Sequence, residues 1–259
     1  MGTRKAPPSP WHHLGRLLVL GGLCLLALQL TFALRIAAMG LVAPQSTAFQ
    51  RSEAWRLLST TGSLPWRQEW VDGDKLSRHL GRAVIASEDA TFAEHAGVDW
   101  ASLEQAWGRN ARAQAQAERA RAAAQSAGRA PRPGSEPRLI GASTITQQLA
   151  KNLFLSGERT TLRKAQELLI TLMLEGLLSK QRILEIYLNS VEWGSGVFGA
   201  QAAARHYYRI DAARLAPEQA ARLAVMLPAP KRFEKTPGSP YLAARAATVA
   251  ARMGAVTLP

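Results

Sequence analysis

Gly141-Ala142-Ser143-Thr144-Ile145-Thr146-Gln147-Gln148-Leu149-Ala150-Lys151-Asn152-Leu153-Phe154 places hydroxyls, amides and one ammonium where a helix should begin. On a 3.6-residue repeat Thr144, Gln148 and Lys151 share one face at i, i+4 and i+7, while Ile145, Leu149 and Leu153 line another. One face packs and the other presents polar groups. Ser143 and Thr144 suit N-capping, and the free amides of the first turn favour an anion beside them. A simple cap followed by solvated glutamines would account for Ser143 alone, but not for an amide and a lysine in register with it.

Some fifty residues upstream an apolar run ends in two adjacent carboxylates, in Glu88-Asp89-Ala90-Thr91-Phe92-Ala93-Glu94-His95-Ala96-Gly97-Val98-Asp99. Repulsion between them and partial burial would raise one pKa towards the working range of a general base. His95, alone between Phe92 and Gly97, reads as a hydrogen-bonded structural residue, and no zinc-type ligand cluster is present. Downstream, Arg163 and Lys164 stand four and three residues before Glu167, within reach of its carboxylate on a helix. By itself that is an exposed ion-pair network of small energetic weight. Set beside Lys151, it gives three cations and a carboxylate, a cradle for a pyrophosphate with or without a divalent ion such as Mg2+ or Mn2+. Acids facing such an anion site suit a sugar joined to a phosphate.

Around these blocks the chain reads as helices, and no strand of normal length stands out. Leu76, Leu80, Val84 and Ile85 define a helix that delivers Glu88 at its end, and Asp99 is placed to cap another carrying Trp100, Leu103 and Trp107. Further helices are expected at about 143–155, 160–178, 180–190, 199–208, 215–227 and 240–253, with Gly194, Gly196 and Gly199 marking a tight loop. Residues 40–73 read as a linker carrying Trp55, Trp66 and Trp70. An Ala/Arg/Gln tract, 108–138, has helix propensity without an apolar stripe, so an exposed helical extension or a mobile insert is expected there.

Leu17 to Leu34 carries no charge, and only Gln29 and Thr31 interrupt it with polar side chains. The run is just long enough to cross a bilayer. A cleaved signal peptide is the competing reading, but the apolar sequence continues through Ile36-Ala37-Ala38-Met39 without a small-x-small site, which favours a retained anchor at 17–39. Arg4, Lys5 and Arg16 precede the span against Arg35 just after it, so residues 1–16 are expected in the cytoplasm and residues beyond 40 outside. The single cysteine, Cys24, lies within the span, leaving the exported part without a thiol. Of the net charge of +13, eight units lie in residues 1–16 and 108–138. That placement favours anionic lipid headgroups as the partner over nucleic acid.

Five ordered segments resemble the motifs of the peptidoglycan glycosyltransferases, glycosyltransferase family 51. They are the Glu88–Asp99 block, the Gly141–Phe154 block, Arg163-Lys164-x-x-Glu167, Lys180-x-Arg182-Ile183-Leu184-Glu185-x-Tyr187-Leu188-Asn189, and Leu215-x-x-x-Gln219-Ala220-x-x-Leu223-Ala224. The likeness covers about residues 75–235. Two departures are a Gly141-Ala142 pair where the family commonly has Gly-Gly, and the Ala/Arg tract where the family has a mobile, membrane-facing segment.

The resemblance implies a mainly α, lysozyme-like helical glycosyltransferase domain at 74–259, preceded by the single transmembrane helix. Because the chain ends near 259, the monofunctional branch without a transpeptidase domain is expected. It implies an inverting enzyme of the bacterial inner membrane, with a periplasmic catalytic domain. The expected activity is polymerisation of lipid II into β-1,4 glycan strands with release of undecaprenyl pyrophosphate. Its partners would be lipid II, the growing strand, the membrane, and division or cell-wall synthesis proteins. Glu88 would be the base for the acceptor 4-hydroxyl, with Asp89 in support, and Glu167 would assist on the donor side. Ser143, Thr144, Gln147, Gln148, Lys151, Asn152, Arg163 and Lys164 would bind the donor pyrophosphate. A lysozyme-like hydrolase of the finished polymer and a non-catalytic assembly scaffold are the rival readings.

Overall fold

A computed structural model describes residues 10–127, 141–155, 157–158 and 160–259. The architecture is helical. α1 (Pro10–Met39) contains the apolar run and extends beyond it at both ends. Its His13–Met39 stretch is long and apolar enough to cross a membrane. Side chains from His13 to Leu28 are exposed, whereas Ile36 and Met39 are buried against the helical body.

The stretch expected as a linker, 40–73, is structured. α2 (Ala48–Thr61) opens on a capping box in which Thr47 Oγ1 accepts from Gln50 N at 3.0 Å and Gln50 Oε1 accepts from Thr47 N at 2.8 Å. It packs on α5 and buries Glu53 and Leu57, whereas Trp55 is exposed and Trp66 and Trp70 are half-buried. Apolar spacing did not announce this helix, because its inner face is largely polar. β1 (Arg67–Gln68) then joins a small sheet.

α3 (Arg78–Glu88) sinks Leu80, Val84 and Ile85 into the core and ends at the carboxylate pair. α4 (Trp100–Ser126), capped by Asp99, carries the Ala/Arg tract outward as a continuous helix as far as 126. Ala106 is its buried residue, and Trp100, Leu103 and Trp107 form an exposed stripe. The remainder of the expected insert, 128–138, lies outside the described residues.

α5 (Ile145–Phe154), α6 (Thr161–Leu177) and α7 (Lys180–Ser190) follow the expected spans within two residues. Ile145, Leu149 and Leu153 of α5 are buried against α6 and α7, as their spacing requires. β2 (Glu192–Gly194) pairs antiparallel with β3 (Val197–Phe198), which pairs parallel with β1. Gly196, at φ +72° with Pro65 O only 2.0 Å from where a Cβ would sit, makes the bend between β2 and β3. α8 (Ala200–Tyr208), α9 (Pro217–Met226), α10 (Pro230–Phe233) and α11 (Pro240–Arg252) complete the body. The packing of α9 on α3 and of α11 on α9 fixes α3, and hence Glu88, from behind.

Candidate active site

The turn after α3 and the start of α5 are locked together by Asp89. Its Oδ2 accepts from Ile145 N at 3.0 Å, the first-turn amide of α5, and its Oδ1 accepts from His95 Nε2 at 2.9 Å. His95 Nδ1 accepts from Gly97 N at 3.1 Å, which assigns the ring proton to Nε2 and makes the histidine structural, as expected. Gly97 is at φ +86°, and a Cβ there would lie 2.7 Å from Thr171 Cγ2 and 2.9 Å from Glu175 Cγ. Only glycine lets this turn lie against α6. Thr144 Oγ1 donates to Gly97 O at 2.6 Å and accepts from Gln147 N at 3.2 Å, tying the same turn to the cap of α5.

Glu88 therefore sits on a rigid corner. Gln148 Nε2, from α5, donates to Glu88 Oε2 at 3.0 Å, and Gln148 Oε1 accepts from the buried Tyr187 hydroxyl of α7 at 2.8 Å. Burial drives the Glu88 pKa upward from its ordinary value. The hydrogen bonds from Gln148 and Ser87 oppose that shift, the Asp89 charge adds to it, and Lys151 works against it. A carboxylate so disposed is a proton acceptor whose basicity is enhanced but not extinguished.

Beside this corner a cavity of about 420 Å³ opens between α2, α5 and α6. Ser143, Gln147, Gln148, Lys151 and Asn152 line it from the α5 side, and Arg163, Lys164 and Glu167 from α6. Glu167 shares the buried face of α6 with Ile170, Thr171 and Leu174. Its Oε2 accepts from Arg163 Nη1 at 2.8 Å and its Oε1 pairs with Lys164 Nζ. Because Glu167 is only 3% exposed, the network is not the weak surface array that its spacing alone allowed. Burial lowers the Lys151 pKa, Glu167 acts to raise it, and Arg163 and Lys164 push it down again. Three cations against one lining carboxylate leave the cavity electropositive.

Of the expected pyrophosphate-binding residues, the fold brings seven to this cavity: Ser143, Gln147, Gln148, Lys151, Asn152, Arg163 and Lys164. Thr144 is the exception. It is buried, and its hydroxyl is engaged by the cap and by Gly97, so it shapes the site rather than lining it. Asp89, expected in support of Glu88, has both its oxygens held by protein groups, so it ties the turn after α3 to the start of α5. Tyr187 and the cavity wall formed by Phe49 and Ser52 of α2 were not selected from sequence. A tyrosine 39 positions from its partner leaves no local signal. Ala142, where the family commonly has glycine, has no positive φ, so the exchange costs no backbone strain.

Among the described residues no group of three or more metal-ligating side chains converges. Within the cavity Glu167 is the lining carboxylate, and both of its oxygens face cations. That donor set does not fit a divalent ion held by the protein.

A sequence profile described as Transglycosylase matches residues 56–254. The biosynthetic peptidoglycan transglycosylase of Burkholderia thailandensis is 53% identical over 234 residues, covering 90% of this chain and 83% of the relative. The protein of the same name from Burkholderia pseudomallei is 53% identical with the same coverage, and that from Burkholderia ambifaria MC40-6 is 48% identical over 257 residues, covering 99% of this chain and 95% of its own. On the profile and on these relatives, this chain belongs to the transglycosylase family.

Proposed function

We propose that Glu88 and the cavity of Lys151, Arg163, Lys164 and Glu167 are the acceptor and donor halves of one glycosyl-transfer site. The chain is a peptidoglycan glycosyltransferase that makes glycan chains for the cell wall. The observation that carries the finer reading is Gln148, whose side chain both lines the cavity and donates to Glu88 at 3.0 Å. A base and an anion site joined through one amide suit an attack by a hydroxyl on a carbon bearing a pyrophosphate.

In this reading Glu88 takes the proton of the acceptor N-acetylglucosamine 4-hydroxyl. The oxygen bonds to the anomeric carbon of the donor, the bond from that carbon to the pyrophosphate breaks, and the α-linked donor becomes a β-1,4 link by inversion. The departing electron pair goes to undecaprenyl pyrophosphate, whose charge Lys151, Arg163 and Lys164 compensate. Glu167 holds the two α6 cations in place and so assists on the donor side. No acid is required for such a leaving group. A hydrolase would need one for its leaving alcohol. Glu167, with both oxygens accepting from cations, is badly placed to supply it.

The positive-inside bias supports a cytoplasmic N-terminus and a periplasmic catalytic domain. The exposed arginines of α4 support contact with anionic headgroups. The test is purified full-length protein with labelled lipid II in detergent micelles. Polymer of increasing length is expected. Soluble fragments released from sacculi without a lipid-linked substrate would favour the hydrolase, and no product from either would favour the scaffold.

A further inference from the structure

The anchor does more than end in the catalytic body. Residues Gln29, Phe32, Ala33, Ile36 and Met39 lie at i, i+3, i+4, i+7 and i+10 and form the partly or fully buried stripe of α1, whereas the preceding turns are exposed. Gln29, within the charge-free run, makes a reciprocal amide pair with Gln166 of α6: each Nε2 donates to the other's Oε1 at 3.0 Å. Phe32 meets Phe154 edge to face with centroids 5.2 Å apart, and the Arg35 guanidinium stands 5.1 Å from the same ring. At the far end Arg182 Nε donates to Met39 O at 2.8 Å, and a side chain at Gly40 would lie 3.6 Å from Leu178.

These contacts set a direction. Position 29 meets 166 and position 40 meets 178, so steps of nearly equal length along α1 and α6 stay in register, and the two helices run side by side with the same polarity. The N-terminal turn of α6, which carries Arg163 and Lys164, therefore points back along the anchor towards the membrane. Leu162 and Leu169, at i−4 and i+3 from Gln166, are exposed on α6, as is Leu172. The fully exposed turns of α1 end at Leu28, so Gln29 stands where the anchor meets the catalytic body at the membrane edge, and pairing its amide sets one rotation and one depth.

We propose that Gln29 and Gln166 are a positioning pair that fixes the depth and rotation of α6 against the anchor. Arg163 and Lys164 are thereby presented at the level of a membrane-held pyrophosphate. This rests on the lipid II reading above. Neither glutamine touches the reacting atoms. They act on how a substrate embedded in the bilayer reaches the cations, and so on KM more than on kcat.

The experiment uses the full chain in nanodiscs of 3:1 phosphatidylethanolamine and phosphatidylglycerol. Polymerisation of long-chain lipid II is compared with that of a short-chain, water-soluble lipid II analogue added from solution. Gln29→Leu and Gln166→Leu are each expected to raise KM for the long-chain substrate about fivefold with kcat within twofold. The double variant should be no worse than either single one, since both remove the same interaction. Gln29→Asn, which keeps the amide, should recover part of the loss. The short-chain analogue should be used equally by all, which also reports that the variants are folded. Unchanged KM for the long-chain substrate, or an equal loss with both substrates, would overturn the proposal. Failure of the native protein to polymerise either substrate would instead remove the functional reading beneath it.

Discussion

Gln148 Nε2 donates to Glu88 Oε2 at 3.0 Å, so the base is held by an α5 side chain that also faces the donor cavity. The bond favours the ionised carboxylate against the burial that raises its pKa. A base acts only when ionised, so activity falls as pH drops through the Glu88 pKa. Replacing Gln148 by Leu removes a donor to the charged form and should move that acid limb to higher pH. At pH 6 the variant is expected to be at least about tenfold slower than native, with a smaller deficit at pH 8.5. A parallel drop at every pH would show that Gln148 serves only to bind the donor.

Glu88 is also expected to be a site where function and stability oppose each other. Its ionised form is buried beside Asp89, and burial and that neighbouring charge both disfavour it. Glu88→Gln keeps the shape without the charge, and should raise stability at pH 8 by about 1 kcal/mol, a few degrees in thermal melts. A lower melting temperature would mean that the carboxylate makes a net stabilising contact in the folded protein.

Gly97 allows no side chain on two separate grounds, its φ of +86° and the approach of Thr171 and Glu175 to within 3 Å of a Cβ. Left-handed backbone and overpacking together put the cost of Gly97→Ala at about 3 kcal/mol. Differential scanning calorimetry should show a fall of roughly 6–12 °C for a domain of this size. A fall below about 2 °C would show that the turn can relax away from α6.

A second carboxylate, Glu192 of β2, is removed from the cavity and gives stability its own pH dependence. Burial raises its pKa to about 7, with Lys231 opposing the shift and Glu53 adding to it. Its folded pKa lies above the ordinary carboxylate value of 4.5, so its contribution is full below about pH 4.5 and is lost as pH rises through 7. The swing is on the order of 3 kcal/mol. Glu192→Gln should flatten the melting temperature between pH 5 and 8 and raise it at pH 8. An unchanged slope over that window would place its origin elsewhere.

Where apolar spacing and caps coincide, the elements were legible in the sequence. Ile145, Leu149 and Leu153 specify α5, and Glu167 with Arg163 and Lys164 specify the ion network of α6. α2 was not legible, because it buries Gln50 and Glu53 as well as Leu57, and its capping box at Thr47 and Gln50 stood in a Ser/Thr-rich context. β1 and β3, each two residues long, have no period to read. Within the site, spacing places the side chains on their elements but does not say which partner each one faces. Whether Thr144 faces a ligand or Gly97, and whether Asp89 faces a sugar or Ile145, is decided by how the turn after α3 packs on α5. That contact spans more than forty positions and has no local signature.

The most direct test of Glu88 as the base is the initial rate of lipid II polymerisation by the full-length protein at pH 7.5, native against Glu88→Gln, with thermal melts confirming that both are folded. Loss of proton abstraction should slow the reaction by at least about a hundredfold. Polymer forming at within fivefold of the native rate would contradict the assignment.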